Sequence, residues 1–444
     1  MRALKIAILA PITAILASCG GIGRGTDSFL PTQTQREMPT SIFPSSPRPQ
    51  STKPPAPSDE PYTTVRLCPV SRELPLPELD FPYGLALIVL PGGDREQGLL
   101  RVGPDSIDGE LIPNTIPSED WVQRFEGESP DGKWFVLVRW ALVSDKETAV
   151  LMTADGSQQS VIGEFGRGDS LAWISNNTLL VIGSERDSLL YSGTQNPFDF
   201  TLRPLPQPLQ NREEVGLFMA GDEYYIVYYE VTTYGQAITS LDRFVVERLS
   251  SGEEWPVLSW LSGKSWDSSG GGLYHGWRLF VRSEGEATIV VEKPYGIDLA
   301  TSINLLAPDD SSLSYGHAMR RLPLPGDGPN MRVTWESHTD ERFWVDRYNS
   351  SRPSAYVYRL MMINPSERTV TDYCLDRGNA YPRTPASPDG RFLAWTQYEE
   401  EGGFLNPERV VVLDTQTGYT AHIDGVEFQG WGRVSEGPLP EGAK

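Results

Sequence analysis

Two stretches separated by most of the chain are near copies, and they constrain the fold more than any other feature. Ser129-Pro130-Asp131-Gly132-Lys133-Trp134-Phe135-Val136-Leu137 matches Ser387-Pro388-Asp389-Gly390-Arg391-Phe392-Leu393-Ala394-Trp395. Each is a turn that runs straight into a strand: Pro fixes φ at the second turn position, the Asp carboxylate caps the turn, and Gly supplies the left-handed exit. Trp173-Ile174-Ser175-Asn176-Asn177-Thr178-Leu179-Leu180-Val181 is a looser relative with Asn in place of the Pro and Gly elements. A second repeat is a hairpin with an apolar first strand and a small polar turn. It occurs at 151–157, 246–252, 362–368 and 412–418, with weaker versions near Pro104, Gly193 and Gly296. These seven hairpins recur every ~40 to 70 residues, a period that suits the four-stranded blades of a propeller.

Length makes the same demand. The region from Tyr62 to Trp431 is rich in short Val, Ile, Tyr, Phe and Trp runs broken by Gly, Pro, Asp and Asn, and no long segment keeps a 3.6-residue period. Single cores stop growing near ~250 to 300 residues, so one domain this long has to be a repeat. The expected fold class is therefore all-β: a single β-propeller, with seven four-stranded blades expected and six or eight as alternatives. The first blade, within 62–114, has only three strands of its own, and Val426-Glu427-Phe428-Gln429-Gly430-Trp431 is an inner strand with no blade behind it. Pairing the two closes the ring and removes an open edge. The turn-strand copies and paired hairpins resemble the TolB-type, WD40-like propeller repeats of bacterial exported proteins, and what that resemblance implies is architecture alone.

The N-terminus carries a targeting signal. Arg2 and Lys5 precede an apolar run from Ile6 to Leu16 that is about half the ~20 residues of a spanning helix, followed by Leu16-Ala17-Ser18-Cys19. This stretch resembles the lipobox of bacterial lipoproteins. The resemblance implies cleavage before Cys19, acylation of its thiol and an extracytoplasmic, lipid-anchored protein; an ordinary signal with an incidental cysteine is the alternative. Two or three acyl chains at ~0.8 kcal/mol per buried methylene would hold such a chain to a membrane. Residues 1–18 are read as signal peptide, 19–61 as a Pro/Ser/Thr-rich stalk too poor in apolar residues to order itself, 62–434 as the propeller and 435–444 as a flexible tail.

Removal of residues 1–18, which hold two basic and no acidic residues, takes the net charge from −21 to −23. So acidic a surface repels phosphate backbones, which argues against nucleic acid as a partner. Cys68 and Cys374 remain after Cys19, and an oxidising compartment favours a disulfide between them, two free buried thiols being the other reading. The bond would pin the N-terminal segment to a blade late in the chain.

Sites are harder to read. In a four-stranded blade the connection between the second and third strands lies opposite the tight turns, and three such connections read as long loops: 231–241, 337–353 and 399–408. In the middle one Phe343, Trp344 and Tyr348 interleave with Arg342 and Arg347, a mixture common in contact surfaces, although aromatics in such a place also fold back as local core. Glu399-Glu400-Glu401 reads as a solvated acidic loop. His275, His317, His338 and His422 lie on separate blades without metal-ligand spacing, and no Gly-x-Ser-x-Gly elbow occurs. No cofactor or metal is expected. Most of the tryptophans, including Trp134, Trp173, Trp277 and Trp395, begin or lie in strands and read as core. The expectation is a monomeric, membrane-anchored binding or scaffolding protein for a protein, peptide or glycan; a glycan hydrolase or lyase using carboxylates in the propeller funnel is the alternative.

Overall fold

The computed structural model describes residues 62–92, 97–104, 106–117, 121–141, 146–166, 170–182, 189–192, 201–204, 213–234, 238–259, 277–293, 296–307, 318–324, 330–336, 342–348, 359–376, 380–381, 386–401 and 404–433. The chain divides into two units, Met1–Thr52 and Lys53–Lys444, and every described residue belongs to the second. Cys19 and the expected signal, stalk and tail lie outside the described residues, as do His275, His317 and His338.

The second unit is an all-β propeller. Strand β1 (Thr63–Arg66) leads in. The first sheet contains β2 (Leu85–Pro91), β3 (Leu100–Gly103) and β4 (Ser106–Leu111), and the second β5 (Trp121–Glu128), β6 (Trp134–Ala141), β7 (Lys146–Thr153) and β8 (Gln159–Gly166). The third holds β9 (Ser170–Ser175), β10 (Thr178–Ile182), β11 (Leu189–Ser192) and β12 (Thr201–Pro204). The fourth holds β13 (Glu213–Ala220), β14 (Glu223–Tyr234), β15 (Ile238–Arg248) and β16 (Glu253–Val257). The fifth comprises β17 (Trp277–Val281), β18 (Glu286–Lys293), β19 (Gly296–Asn304) and β20 (Arg320–Pro323). The sixth comprises β21 (Asn330–Glu336), β22 (Phe343–Tyr348), β23 (Arg359–Asn364) and β24 (Thr369–Asp376). The seventh comprises β25 (Ala380–Tyr381), β26 (Phe392–Glu401), β27 (Phe404–Asp414) and β28 (Thr420–Asp424), and β29 (Val426–Arg433) ends the described chain. Among the described residues six sheets have four strands; the sixth in order has five, because β1 adds to it.

Closure follows the sequence reading. The C-terminal β29 pairs antiparallel with β2, from Leu85 opposite Arg433 to Pro91 opposite Val426, and so becomes the inner strand of the first sheet. Where the described residues show a sheet packed on both faces, as in the first, second, fifth, sixth and seventh, its strands read as continuous apolar runs rather than alternating ones. In β2, Leu87 and Val89 pack toward the seventh sheet with Phe392, Val412 and Trp431, while Ile88 and Leu90 pack toward the second with Phe125, Phe135 and Leu137. Equivalent buried clusters join the second sheet to the third, the fourth to the fifth, the fifth to the sixth and the sixth to the seventh. Between the third and fourth, Thr178 Oγ1 lies 3.2 Å from the Tyr224 hydroxyl.

The two Ser-Pro-Asp-Gly copies both connect a first strand to a second, β5 to β6 and β25 to β26. The mechanism in each is the same: the Ser hydroxyl donates to the Asp Oδ1 two residues on, that oxygen accepts the N–H of Lys133 or Arg391, and the Ser oxygen accepts the N–H of Trp134 or Phe392. The copies also meet in space, on either side of the place where β29 ends and β2 begins. Gly132 accepts a hydrogen bond of 2.7 Å from Arg433 N, and a Cβ built on Gly132 would lie 2.7 Å from Pro388 Cγ. With φ at +70°, that position requires glycine on both counts. Of the hairpin repeats, those at 151–157, 246–252, 362–368 and 412–418 and the one near Pro104 join third strands to fourth strands. The repeat near Gly296 does not: Gly296 opens β19 just after the connection from β18, and the equivalent turn of that sheet follows Asn304. The one near Gly193 falls between β11 and β12, outside the described residues.

The N-terminal segment is a strap over the rim. β1 pairs parallel with β24, and Thr63 N donates to Arg368 O just after the turn of that hairpin. Cys68 and Cys374 form a disulfide with Cα atoms 5.5 Å apart, spanning 306 residues of sequence. Past it, Thr420 N bonds Arg72 O and Leu74 N bonds Thr420 O on the seventh sheet. A 3-10 turn at Leu76–Leu79 then buries Leu76 and Leu79 between the seventh and first sheets, and the Phe81 ring sits 4.6 Å from Phe392 and 6.0 Å from Trp431. Asp372 organises the crossing. Burial works against its charge, but the Arg359 fork and the Cys374 N–H outweigh it and hold the carboxyl below the usual range, while the same N–H bond supports Cys374 at φ +51°.

Candidate binding face

Antiparallel order puts the connections from first to second and third to fourth strands on one face, here the turn face, and those from second to third on the other. Two of the three segments expected as loops on that other face are instead extended strand. In the fourth sheet, Val231 pairs with Leu241 and the ladder continues to Tyr234 opposite Ile238. In the seventh, Glu399 pairs with Asn406 and the ladder reaches Glu401 opposite Phe404. β14, β15, β26 and β27, at 10 to 12 residues, are the longest strands among the described residues. Each pair has a register shift at the base of its extension, at Glu230/Val231 and Gln397/Tyr398, the local irregularity that lets a hairpin change direction as it leaves its sheet. The Tyr398 hydroxyl, at the base of the second arm, donates to Glu427 Oε1 at 3.1 Å. These arms, rather than loops, mark the face.

The third expected loop is corrected outright. Phe343 through Tyr348 form β22, a middle strand of the sixth sheet, and the connection to β23 is residues 349–358, outside the described residues. Phe343 and Trp344 are fully buried: Phe343 packs with Val345 against the fifth sheet and Trp344 packs on the other side against Trp395 and Leu393 of the seventh. A middle strand sandwiched between two sheets sends alternate side chains into both interfaces, so neighbouring aromatics there are core. Arg342 precedes the strand, half-buried and near enough to Tyr373 to favour its ionised form, although burial pushes that hydroxyl well above its ordinary value. Arg347 and Tyr348 pair in register with Met331 and Asn330. Trp395 is core as expected, while Trp134 and Trp173 are half-buried. His422 is half-buried beside Glu73, with Nδ1 3.1 Å from its Oε1; burial lowers its pKa, partly opposed by that carboxylate.

What the sequence reading missed is a pair of arginine and tryptophan contacts at the same face of the second sheet. β5 begins there with Trp121 and β6 ends there with Arg139, Trp140 and Ala141, because β5 runs toward the turn face and β6 away from it. Gln123 stands opposite Arg139, and Val122 opposite Trp140, so the two arginine contacts fall on opposite sides of the sheet. On one side Arg124 lies over the Trp140 ring at 5.5 Å, holds both carboxylate oxygens of Glu147 at 2.9 Å and bonds Glu126 at 2.8 Å. Burial opposes its charge, yet those carboxylates more than offset it and raise its pKa. On the other side Arg139 lies over Trp121 with Cζ 4.6 Å from the ring centroid and donates one Nη2 bond to the Asn114 carbonyl. Its Nε is buried without a partner, no carboxylate pairs with it among the described residues, and burial lowers its pKa. The signal was a Trp-Val-Gln-Arg strand facing an Arg-Trp strand end, which alternation alone could not separate from core.

Carboxyl groups on β5 are already engaged: Glu126 with Arg124, and Glu128 at the turn-face end, where its Oε1 accepts Trp431 N at 3.2 Å. The Glu128 Oε2 is buried without a partner against the Gly430 backbone, and burial pushes the carboxyl up to about 8, so it is neutral at pH 7. Among the described residues no three His, Cys, Asp or Glu side chains converge as metal ligands, and no helix is long and apolar enough to cross a membrane.

No family model and no curated relative matches this sequence. Solved structures do. An oligogalacturonate lyase in complex with manganese is 11% identical, with a TM-score of 0.45 over 76% of this chain and 83% of its own. TolB from Acinetobacter baumannii is 10% identical, with a TM-score of 0.37 over 85% and 97%. A prolyl endopeptidase is 13% identical, with a TM-score of 0.42 over 78% of this chain and 48% of its own. Likenesses this distant assign neither ligand nor reaction.

Proposed function

We propose that this chain is an extracytoplasmic lipoprotein, acylated at Cys19 and held to a bacterial envelope membrane, whose propeller binds or scaffolds a protein, peptide or glycan partner through its arm face. One observation supports this reading above the rest. Thr63 bonds Arg368 beside a turn-face hairpin, and Leu85 and Arg433 meet at the same face, so the first described strand begins at the face opposite the arms. The β14–β15 and β26–β27 arms and the Trp121 and Arg139 contact lie at the other face. Loops and hairpin tips on a rigid scaffold are where binding residues concentrate.

The test joins the two halves of the reading. Cys19→Ser should move the protein from the membrane fraction to the soluble fraction. Replacing 231–241 and 399–408 with short turns should abolish crosslinking to the partner found with the intact protein on cells, with the melting temperature shifted by no more than a few degrees. Unchanged crosslinking by the trimmed protein would remove the arm face from the proposal.

A further inference from the structure

The two arginines at the arm-face end of the second sheet differ in how their charge is met. Arg124 is neutralised by two carboxylates, whereas Arg139, on the neighbouring strand, is half-desolvated against an indole, and among the described residues one carbonyl is its hydrogen-bond acceptor. The chain has 59 acidic and 38 basic residues, so carboxylates are abundant, and a partly buried guanidinium that none of those among the described residues meets is costly. The stack on Trp121 and the bond to Asn114 hold the planar group in one orientation, with its remaining Nη donors at the face that carries the arms. A held, unneutralised fork of N–H donors matches two coplanar anionic oxygens.

We propose that Arg139, positioned by Trp121, is a binding site for a carboxylate group on the ligand of the arm face. This rests on the reading of that face as the binding face. A carboxylate is favoured over phosphate because the protein's own net charge of −21 repels a multiply charged anion more strongly than a singly charged one. The lowered pKa of Arg139, which follows from burial, agrees with a guanidinium that no carboxylate of the described residues neutralises.

The experiment titrates the purified full chain at constant ionic strength with sodium benzoate, sodium glucuronate and sodium phosphate, and follows the Arg139 Nε–H and Trp121 indole N–H resonances. Both carboxylates should shift both resonances to saturation, and phosphate should not. In Arg139→Gln, loss of charge-assisted bonds should weaken carboxylate binding about tenfold or more, followed through the Trp121 resonance. Arg139→Lys keeps a charge but not the fork, so it too should bind weakly, and it serves if the Gln variant folds poorly. Equal shifts with phosphate, no shift with any probe, or binding unchanged in both variants would overturn the proposal. Carboxylate binding that survives while arm trimming leaves partner crosslinking unchanged would instead remove only the proposed function.

Discussion

The two faces of the propeller are built by different rules. On the turn face, several connections supply their own hydrogen bonds: Ser129 and Asp131, Thr153 and Asp155, Ser387 and Asp389 each close a turn within a few residues. On the arm face, the fourth and seventh sheets run on as long hairpins, and the polar contacts reach between elements, as Arg124 does to Glu147 and Arg139 to Asn114. The difference teaches where function is free to sit. The turn face also carries the ring closure and the entry of the strap, so changes there act on stability, whereas the arm face can vary without opening the ring.

Trp344→Ala is the sharpest way to break this division. If β22 is core, the cavity should cost about 3–5 kcal/mol, read as a large drop in the denaturation midpoint. A variant as stable as the parent but impaired in partner crosslinking would return that segment to the binding face. Next in size is the strap. Cys68→Ser with Cys374→Ser should destabilise by about 2–5 kcal/mol in chemical denaturation and raise amide exchange in β1, since parallel pairing to β24 is then the main hold on Thr63–Arg66. Unchanged exchange there would mean that the strand pairing alone holds the rim. The smallest effect per step is the pH dependence of Glu128. Its folded pKa, about 8, lies above its ordinary value of 4.5, so the stability that the protonated acid contributes is complete below about pH 4.5 and is lost as pH rises through about 8. The parent should lose up to about 1.4 kcal/mol per pH unit within that window, and Glu128→Gln should flatten this slope. Parallel pH profiles for the two proteins would show that the carboxyl is ionised at the seam.

Much of this architecture was legible because its signals are local. A Ser-Pro-Asp-Gly turn closes on itself, so Ser129 and Ser387 announced strand boundaries without knowledge of anything distant. The unpaired last strand, Val426 to Trp431, pointed to closure because a buried edge needs a partner. The Cys68 and Cys374 pairing followed from there being only two cysteines after Cys19. The misreading of Phe343 and Trp344 has an equally plain cause: a mixed run of aromatic and charged residues is the same in a contact loop and in a strand whose two faces are both covered. Gly296 was misplaced for a related reason, since a small polar step marks either end of a strand.

What the sequence determined alone was the period, the turn chemistry and the need for a ring, all of which depend on residues within about ten positions of one another or on counting. What only the tertiary structure decided was which carboxylates neutralise which arginines and which aromatics are covered. Arg124 and Arg139 have the same chemistry and sit on neighbouring strands of one sheet. One meets Glu147 and the other meets Trp121 because of the side of the sheet each occupies and the blade it faces, and burial and pairing of charge are properties of that packing rather than of the chain.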